Sequence, residues 1–194
     1  MVISVKSGIF ALNNIMDTIV INLIGPPGTG KSTLASEIFA KMKWMGYDVE
    51  LVSEYAKELV WEERTETIKN EVYLFAKQHH RIFRLLGKVK YIITDRPLIL
   101  SNLYNSVYGD NSPEYTNLVM HEINKMENFN ILLERTKPYV EKGRNQTEEE
   151  SKEFEQKIID MLDDHRVTYT RVKATEGSSD YIINLTNIYY PPIK

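Results

Sequence analysis

The stretch I-V-I-N-L-I-G-P-P-G-T-G-K-S-T-L, from Ile19 to Leu34, decides how the rest of the chain is read. An apolar run, Ile19 to Ile24, stops abruptly at glycines and prolines, and helix formers follow from Leu34 to Ile38. The order is strand, tight loop, helix. The loop fits Gly25-x-x-x-x-Gly30-Lys31-Ser32 without a departure, the pattern of a phosphate-cradling P-loop. Glycines let the backbone turn so that N–H groups face inward at phosphate oxygens. The helix N-terminus adds its partial positive charge. Gly25, Pro26, Pro27, Gly28, Thr29, Gly30, Lys31, Ser32 and Thr33 are therefore the expected ATP-binding loop. Lys31 is placed to reach the β- and γ-phosphates, and the Ser32 hydroxyl to ligate Mg²⁺.

The composition sets the frame around this loop. With 194 residues the chain is long enough for one α/β domain with a sizeable core. A net charge of −3 argues against a large nucleic-acid footprint. The absence of cysteine excludes disulfides, thiol catalysis and thiolate-bound zinc, and suits a reducing cytosol. His79, His80, His121 and His165 show no metal-ligand spacing. No apolar run reaches membrane-spanning length.

Strand and helix patterns then alternate. Residues 1–17 are expected to be an N-terminal extension: either Met16 is the functional start, or a strand or helix packs on the sheet edge. Residues 18–194 form the domain. Its first strand, Thr18–Ile24, is apolar almost throughout and so expected to be central and buried on both faces. A helix follows to about Met45, then a strand Tyr47–Val52, then one long helix Thr65–Leu86 ended by Gly87. Val89–Asp95 is a third strand. Leu98–Val107 and Glu114–Met126 are helices, and Phe129–Leu133 is a fourth strand. Residues 135–150 are polar with little core material, and read as a mobile flap acting as a lid. Ser151–His165 is an amphipathic helix, Val167–Val172 a fifth strand, and Ser178–Ile188 a closing helix. Such alternation implies an α/β fold: a five-stranded parallel sheet with helices on both faces.

Ligands in such sheets sit at the carboxyl ends of the strands, so the polar residues there are the candidates. Glu54 follows strand two and is placed to accept the proton of an attacking hydroxyl; its structural alternative is a first-turn helix acid. Asp95 ends strand three, where a carboxylate holds the Mg²⁺ shell; the alternative is a cap for the helix after Pro97. Arg96 and Arg135, after strands three and four, and Arg144 in the flap would neutralise charge on a transferring phosphoryl group, or else be surface ion pairs. Gln78 and Arg81 would hydrogen-bond the substrate, or form a solvated helix face. Tyr55 and Tyr139 would stack on a ring, or pack as partial core.

Four segments carry a family resemblance: the P-loop, Ser53-Glu54-Tyr55-Ala56-Lys57-Glu58-Leu59-Val60, Ala76-Lys77-Gln78-His79-His80-Arg81, and Leu132 through Arg144. In order and spacing the chain, over roughly Ile19 to Ala174, resembles the P-loop kinase family that contains the ribosylnicotinamide kinase domain of the bifunctional NAD-biosynthesis regulator, with related viral and animal AAA-type ATP-binding proteins. The resemblance implies an ATP- and Mg²⁺-dependent kinase of a small nucleoside-like alcohol. The flap departs from the family pattern: Lys142 stands at the second acid, and Arg144 one place before the usual arginine, where Asn145 lies. The third strand ends in Thr94-Asp95-Arg96-Pro97 rather than an acid-rich run.

The leading expectation is a phosphotransferase acting on a hydroxyl or phosphate of a nucleoside- or nucleotide-like small molecule. A kinase of a modified base or terminus in DNA would need a basic groove, which the acidic balance disfavours. A regulatory ATPase or GTPase switch is the third reading. Its guanine-reading segment has only the variant Asn124-Lys125-Met126-Glu127, placed before a strand instead of after one. An AAA⁺ motor is set aside because no helical lid domain or sensor residue is found in the sequence.

Overall fold

The computed structural model describes residues 17–136 and 148–192. A five-stranded parallel sheet runs in the order β2-β3-β1-β4-β5. Its strands are β1 (Ile19–Ile24), β2 (Val49–Val52), β3 (Tyr91–Thr94), β4 (Glu127–Glu134) and β5 (Thr170–Lys173). Strand β1 lies between β3 and β4 and every one of its residues is buried. A strand covered on both faces needs no polar side, which is why its sequence runs apolar instead of alternating.

The two faces of β1 feed different cores, as the two-residue repeat of a strand requires. Ile21 and Leu23 pack on Leu34, Ile38 and Met42 of α1 (Lys31–Trp44) and on Ile182 and Ile183 of α8 (Ser178–Tyr189). On the other face Val20 meets Phe75 and Ile82 of α4 (Glu71–Phe83) and Val119 of α6 (Pro113–Ile123). Ile24 meets Leu100 and Leu103 of α5 (Leu100–Tyr108), and Ile158 and Leu162 of α7 (Glu148–Asp164). Among the described residues no helix is long and apolar enough to cross a membrane.

The expected long helix over Thr65–Leu86 is two helices, α3 (Thr65–Ile68) and α4, the latter following α2 (Ala56–Trp61) by way of α3. Asn70 makes the break: its side chain accepts the Tyr73 N–H at 3.0 Å, which caps α4 afresh. Asparagine competes with the helix for backbone groups, so it favours caps over interiors. Helix α6 starts at Pro113 behind the Ser112 cap, one residue earlier than its sequence pattern. Strand β4 is longer than expected at both ends, and β5 is shorter, beginning at Thr170. Helix α7 begins at Glu148, so the end of the expected 135–150 flap is helical. The rest of that flap from residue 137, with Tyr139 and Arg144, lies outside the described residues, as does the extension up to residue 16.

Candidate active site

The loop between β1 and α1 is built from its own residues. Lys31 Nζ donates to the Gly25 and Pro26 carbonyls at 2.8 and 2.9 Å. Thr29 Oγ1 donates to the Pro26 carbonyl at 2.9 Å. A side chain on Gly25 would put its Cβ 2.9 Å from Thr29 Oγ1 and 3.2 Å from the Leu133 carbonyl, so only glycine fits where the loop crosses β4. Gly30, with φ of 89°, turns the chain into α1. The first turn of α1 carries no acid, so nothing cancels the partial charge of its N–H groups. Ser32 and Thr33 are exposed there.

The second half of the site comes from distant segments brought together by strand register. Asn22 pairs with Thr94, and Thr94 with Val52. Asp95 therefore leaves the sheet beside Leu23, just short of the P-loop, with Ser53 opposite it and Glu54 one residue further on. The Glu54 N–H donates to Asp95 Oδ1 at 2.9 Å. That bond ties the end of β2 to the end of β3. Helix α5 starts later, at Leu100, with Ile99 at its cap position, so Asp95 does not cap it.

Arg96 is 6% exposed. Its guanidinium lies over the Tyr104 ring, with Cζ 4.0 Å from the ring centroid. Its Nε is 3.6 Å from Glu54 Oε1 and its Nη2 is 3.4 Å from Glu71 Oε1. Burial opposes the charge, but Tyr104, Glu71 and Glu54 outweigh it and hold the Arg96 pKa above its ordinary value. Burial pushes the Glu71 carboxyl up from the usual range, against the pull of Arg96 and of the Ser101 and Tyr115 hydroxyls. Burial likewise pushes the Tyr104 phenol up to about 12. Arginine is the right cation here, because it stays charged when desolvated.

Gln78 is 4% exposed and its amide is engaged at both ends. Its oxygen accepts the Tyr55 N–H at 3.0 Å, and its nitrogen lies 3.4 Å from the Ser53 carbonyl and from Thr94 Oγ1. It is a brace under the Ser53–Tyr55 turn and not part of a solvated helix face. Tyr55 hydrogen-bonds the Tyr73 hydroxyl at 2.8 Å and lies under the Arg81 guanidinium, 4.8 Å away. Arg81 also holds both carboxylate oxygens of Glu58, at 2.8 and 2.9 Å. Arg135 follows β4 half-buried, next to Thr136, whose hydroxyl reaches across to the Ala174 carbonyl past β5.

The structure thus brings Lys31, Glu54, Asp95 and Arg96 to one end of the sheet, and Gln78 and Tyr55 directly behind Glu54. Glu71 and Tyr104 were not legible beforehand. In sequence Glu71 lies inside the expected long helix, where an acid is ordinary, and no spacing rule links it to an arginine so far along the chain. A cavity of about 550 Å³ between α5 and α7, bordered by Asn102, Ser106, Lys157 and Asp160, includes none of these residues.

A divalent cation fits this donor set. Asp95 offers a carboxylate and Ser32 a hydroxyl, both hard oxygen donors, and Mg²⁺ commonly takes one or two protein ligands and fills its shell with water and phosphate. Among the described residues no group of three or more acids and histidines would hold a metal alone. A cation here would depend on the nucleotide's own oxygens.

A parallel sheet in this order, with a P-loop after its central strand and acids after β2 and β3, defines a P-loop NTPase of the nucleoside-kinase-like fold. The sequence matches the family described as AAA domain over residues 20–178, and the chain belongs to that family. No curated protein matches it. Among solved structures it is similar to the NadR protein in complex with NR, at 16% identity and a TM-score of 0.70, over 94% of this chain and 54% of that one. It is also similar to the NadR protein in complex with NAD and AMP-PNP, at 16% identity and a TM-score of 0.65, over 95% and 52%. A third is deoxyadenosine kinase from M. mycoides with the products dCMP and a flexible dCDP, at 18% identity and a TM-score of 0.57, over 87% and 99%. The chain spans about half the length of the two NadR chains. At these identities the likeness is one of fold.

Proposed function

We propose that this chain is an ATP- and Mg²⁺-dependent phosphotransferase whose acceptor is a nucleoside- or nucleotide-like small molecule. The observation that carries the reading is the position of Glu54. The Asp95 carboxylate holds its backbone at 2.9 Å, beside the P-loop and against Arg96. A nucleotide switch needs only a positioned water; a carboxylate fixed beside the transferring phosphate is what an acceptor hydroxyl requires. The similar structures support this, since one is named a deoxyadenosine kinase and another holds AMP-PNP.

In this reading Lys31 leaves its loop carbonyls for the β- and γ-phosphate oxygens. Glu54 takes the proton of the acceptor hydroxyl as its oxygen bonds to the γ-phosphorus. The bond from phosphorus to the β–γ bridging oxygen breaks, and ADP leaves. Arg96 stabilises charge on the equatorial oxygens. Mg²⁺, held through Ser32 and Asp95, would supply further charge neutralisation on the phosphates. Arg135 would add to it from the β4 side, with Arg144 a further candidate for the phosphates and Tyr55 and Tyr139 candidates for the substrate. A cysteine-free chain acting on ATP suits the cytosol.

The test is ATP consumption across nucleosides, mononucleotides, NR and single-stranded DNA. Stimulation of at least tenfold by one small acceptor, matched by phosphorylated product, supports the reading. Stimulation by DNA alone moves the acceptor to nucleic acid. Stimulation only by a protein partner, with no phosphorylated product, replaces the kinase with a switch.

A further inference from the structure

Arg96 is held by two carboxylates, and only one of them has a place in the chemistry above. Glu54 lies at its Nε and Glu71 at its Nη2. The Tyr104 ring lies against the guanidinium, its centroid 4.0 Å from Cζ. Nη1 is buried and has no hydrogen-bond partner among the described residues. Two side chains so fully withdrawn from water, at 8% and 9% exposure for Arg96 and Glu71, are an expensive arrangement for a protein to keep without use. Glu71 stands at the first position of α4, where the Asn70 cap fixes the start of the helix. The Tyr115 hydroxyl, from α6, donates to the Glu71 carbonyl at 3.3 Å. The Glu71 backbone is therefore tied to both helices, and its carboxylate is held by the Ser101 and Tyr115 hydroxyls as well as by Arg96.

We propose that Glu71 is a positioning residue for Arg96: it fixes the guanidinium against Tyr104 so that Nη1 is the donor left for an oxygen of the acceptor or of the transferring phosphoryl group. This rests on the phosphotransferase reading for what Arg96 does, but not for how it is held. Without Glu71, Nη2 loses its carboxylate. The guanidinium is then free to shift through its side-chain torsions and close its fork on Glu54, occupying the carboxylate that is needed as base. A buried fork works only in one orientation, because its five N–H groups lie in a plane with fixed directions.

The first arm of the test does not use turnover. Arginine side-chain NMR of the wild-type protein should show resolved, slowly exchanging Nη resonances for Arg96. Glu71→Gln should merge them while leaving those of Arg81 unchanged. Unchanged Arg96 resonances in Glu71→Gln overturn the proposal, whether or not the protein is a kinase. The second arm is a double-mutant cycle on acceptor phosphorylation. Glu71→Gln should lower kcat about tenfold or more, with the KM for ATP unchanged, and the same substitution made on Arg96→Met should add nothing. An equal further loss on Arg96→Met makes Glu71 merely structural and overturns the proposal. Wild-type protein that phosphorylates no acceptor sinks the kinase reading, and the NMR arm still decides the clamp. Unfolding midpoints keep the comparison to folded variants; should Glu71→Gln not fold, Glu71→Asp replaces it, one methylene too short to reach Nη2, with the same outcomes.

Discussion

The two halves of the site are built in opposite ways. The phosphate half is local: Lys31 and Thr29 bond carbonyls of Gly25 and Pro26, only a few residues away. The half proposed to take the acceptor is assembled from a distance. Glu54 is tied to Asp95, Tyr55 to Gln78 and Arg96 to Glu71, each across 23 to 41 residues of chain. A local loop keeps its shape if its neighbours shift, because its own backbone supplies its partners. A distant constellation depends on register, on a capped helix start and on buried polar braces, so it is sensitive to changes far from the chemistry. Substitutions on the two sides should therefore fail differently: phosphate-side changes in turnover alone, acceptor-side changes in placement and stability too.

The largest expected effect is at Glu54. Glu54→Gln should reduce acceptor-stimulated turnover by about 10²–10⁴-fold, roughly 3–5 kcal/mol of barrier, with ATP affinity near wild type. Steady-state kinetics with nucleotide binding measured in parallel checks this. Full phosphorylation by Glu54→Gln would give the base role to Asp95 or to none. Lys31→Ala should cost more than about 10²-fold in kcat with no loss of folding, since a half-exposed loop lysine supports no core. Turnover within a few-fold of wild type would break the P-loop assignment.

Asp95→Asn sharpens the comparison, because an amide oxygen can still accept the Glu54 N–H. It isolates the charge: the Mg²⁺ needed for half-maximal rate should rise about 10–100-fold. An unchanged Mg²⁺ titration leaves Asp95 as a strand tie only. Gln78→Leu attacks the brace. It strands the Tyr55 N–H and should lower stability by about 1–3 kcal/mol, read as a fall in Tm, with ATP affinity unchanged. Unaltered Tm would mean that the Ser53–Tyr55 turn holds itself.

The smallest effect is electrostatic and concerns Glu71. Its carboxyl pKa is raised in the folded protein, chiefly by burial, so folding favours the protonated form. Its contribution to stability is full below the ordinary carboxylate value and is lost as pH rises through the raised folded value. Comparing wild type with Glu71→Gln in denaturant titrations from acid to neutral pH should show the wild type losing ground in that window. Parallel curves would mean that Arg96, Ser101 and Tyr115 together cancel the desolvation.

Sequence alone determined the parallel α/β sheet, β1 as its buried centre and the loop from Gly25 to Thr33. These rest on contiguous residues whose patterns are local: an apolar run, a glycine spacing, a helix start. It also placed Glu54, Asp95 and Arg96 at strand ends, because the carboxyl ends of a parallel sheet share one edge. Tertiary structure decided the rest. Asn70 ended one helix and began another, an outcome fixed by which backbone group its side chain meets. Gln78 turned inward as a brace, since the α4 face that carries it packs against the ends of β2 and β3. Glu71 and Tyr104 became partners of Arg96 only because α4 and α5 converge on the end of β3, and a pairing across separate elements leaves no periodic trace in the chain.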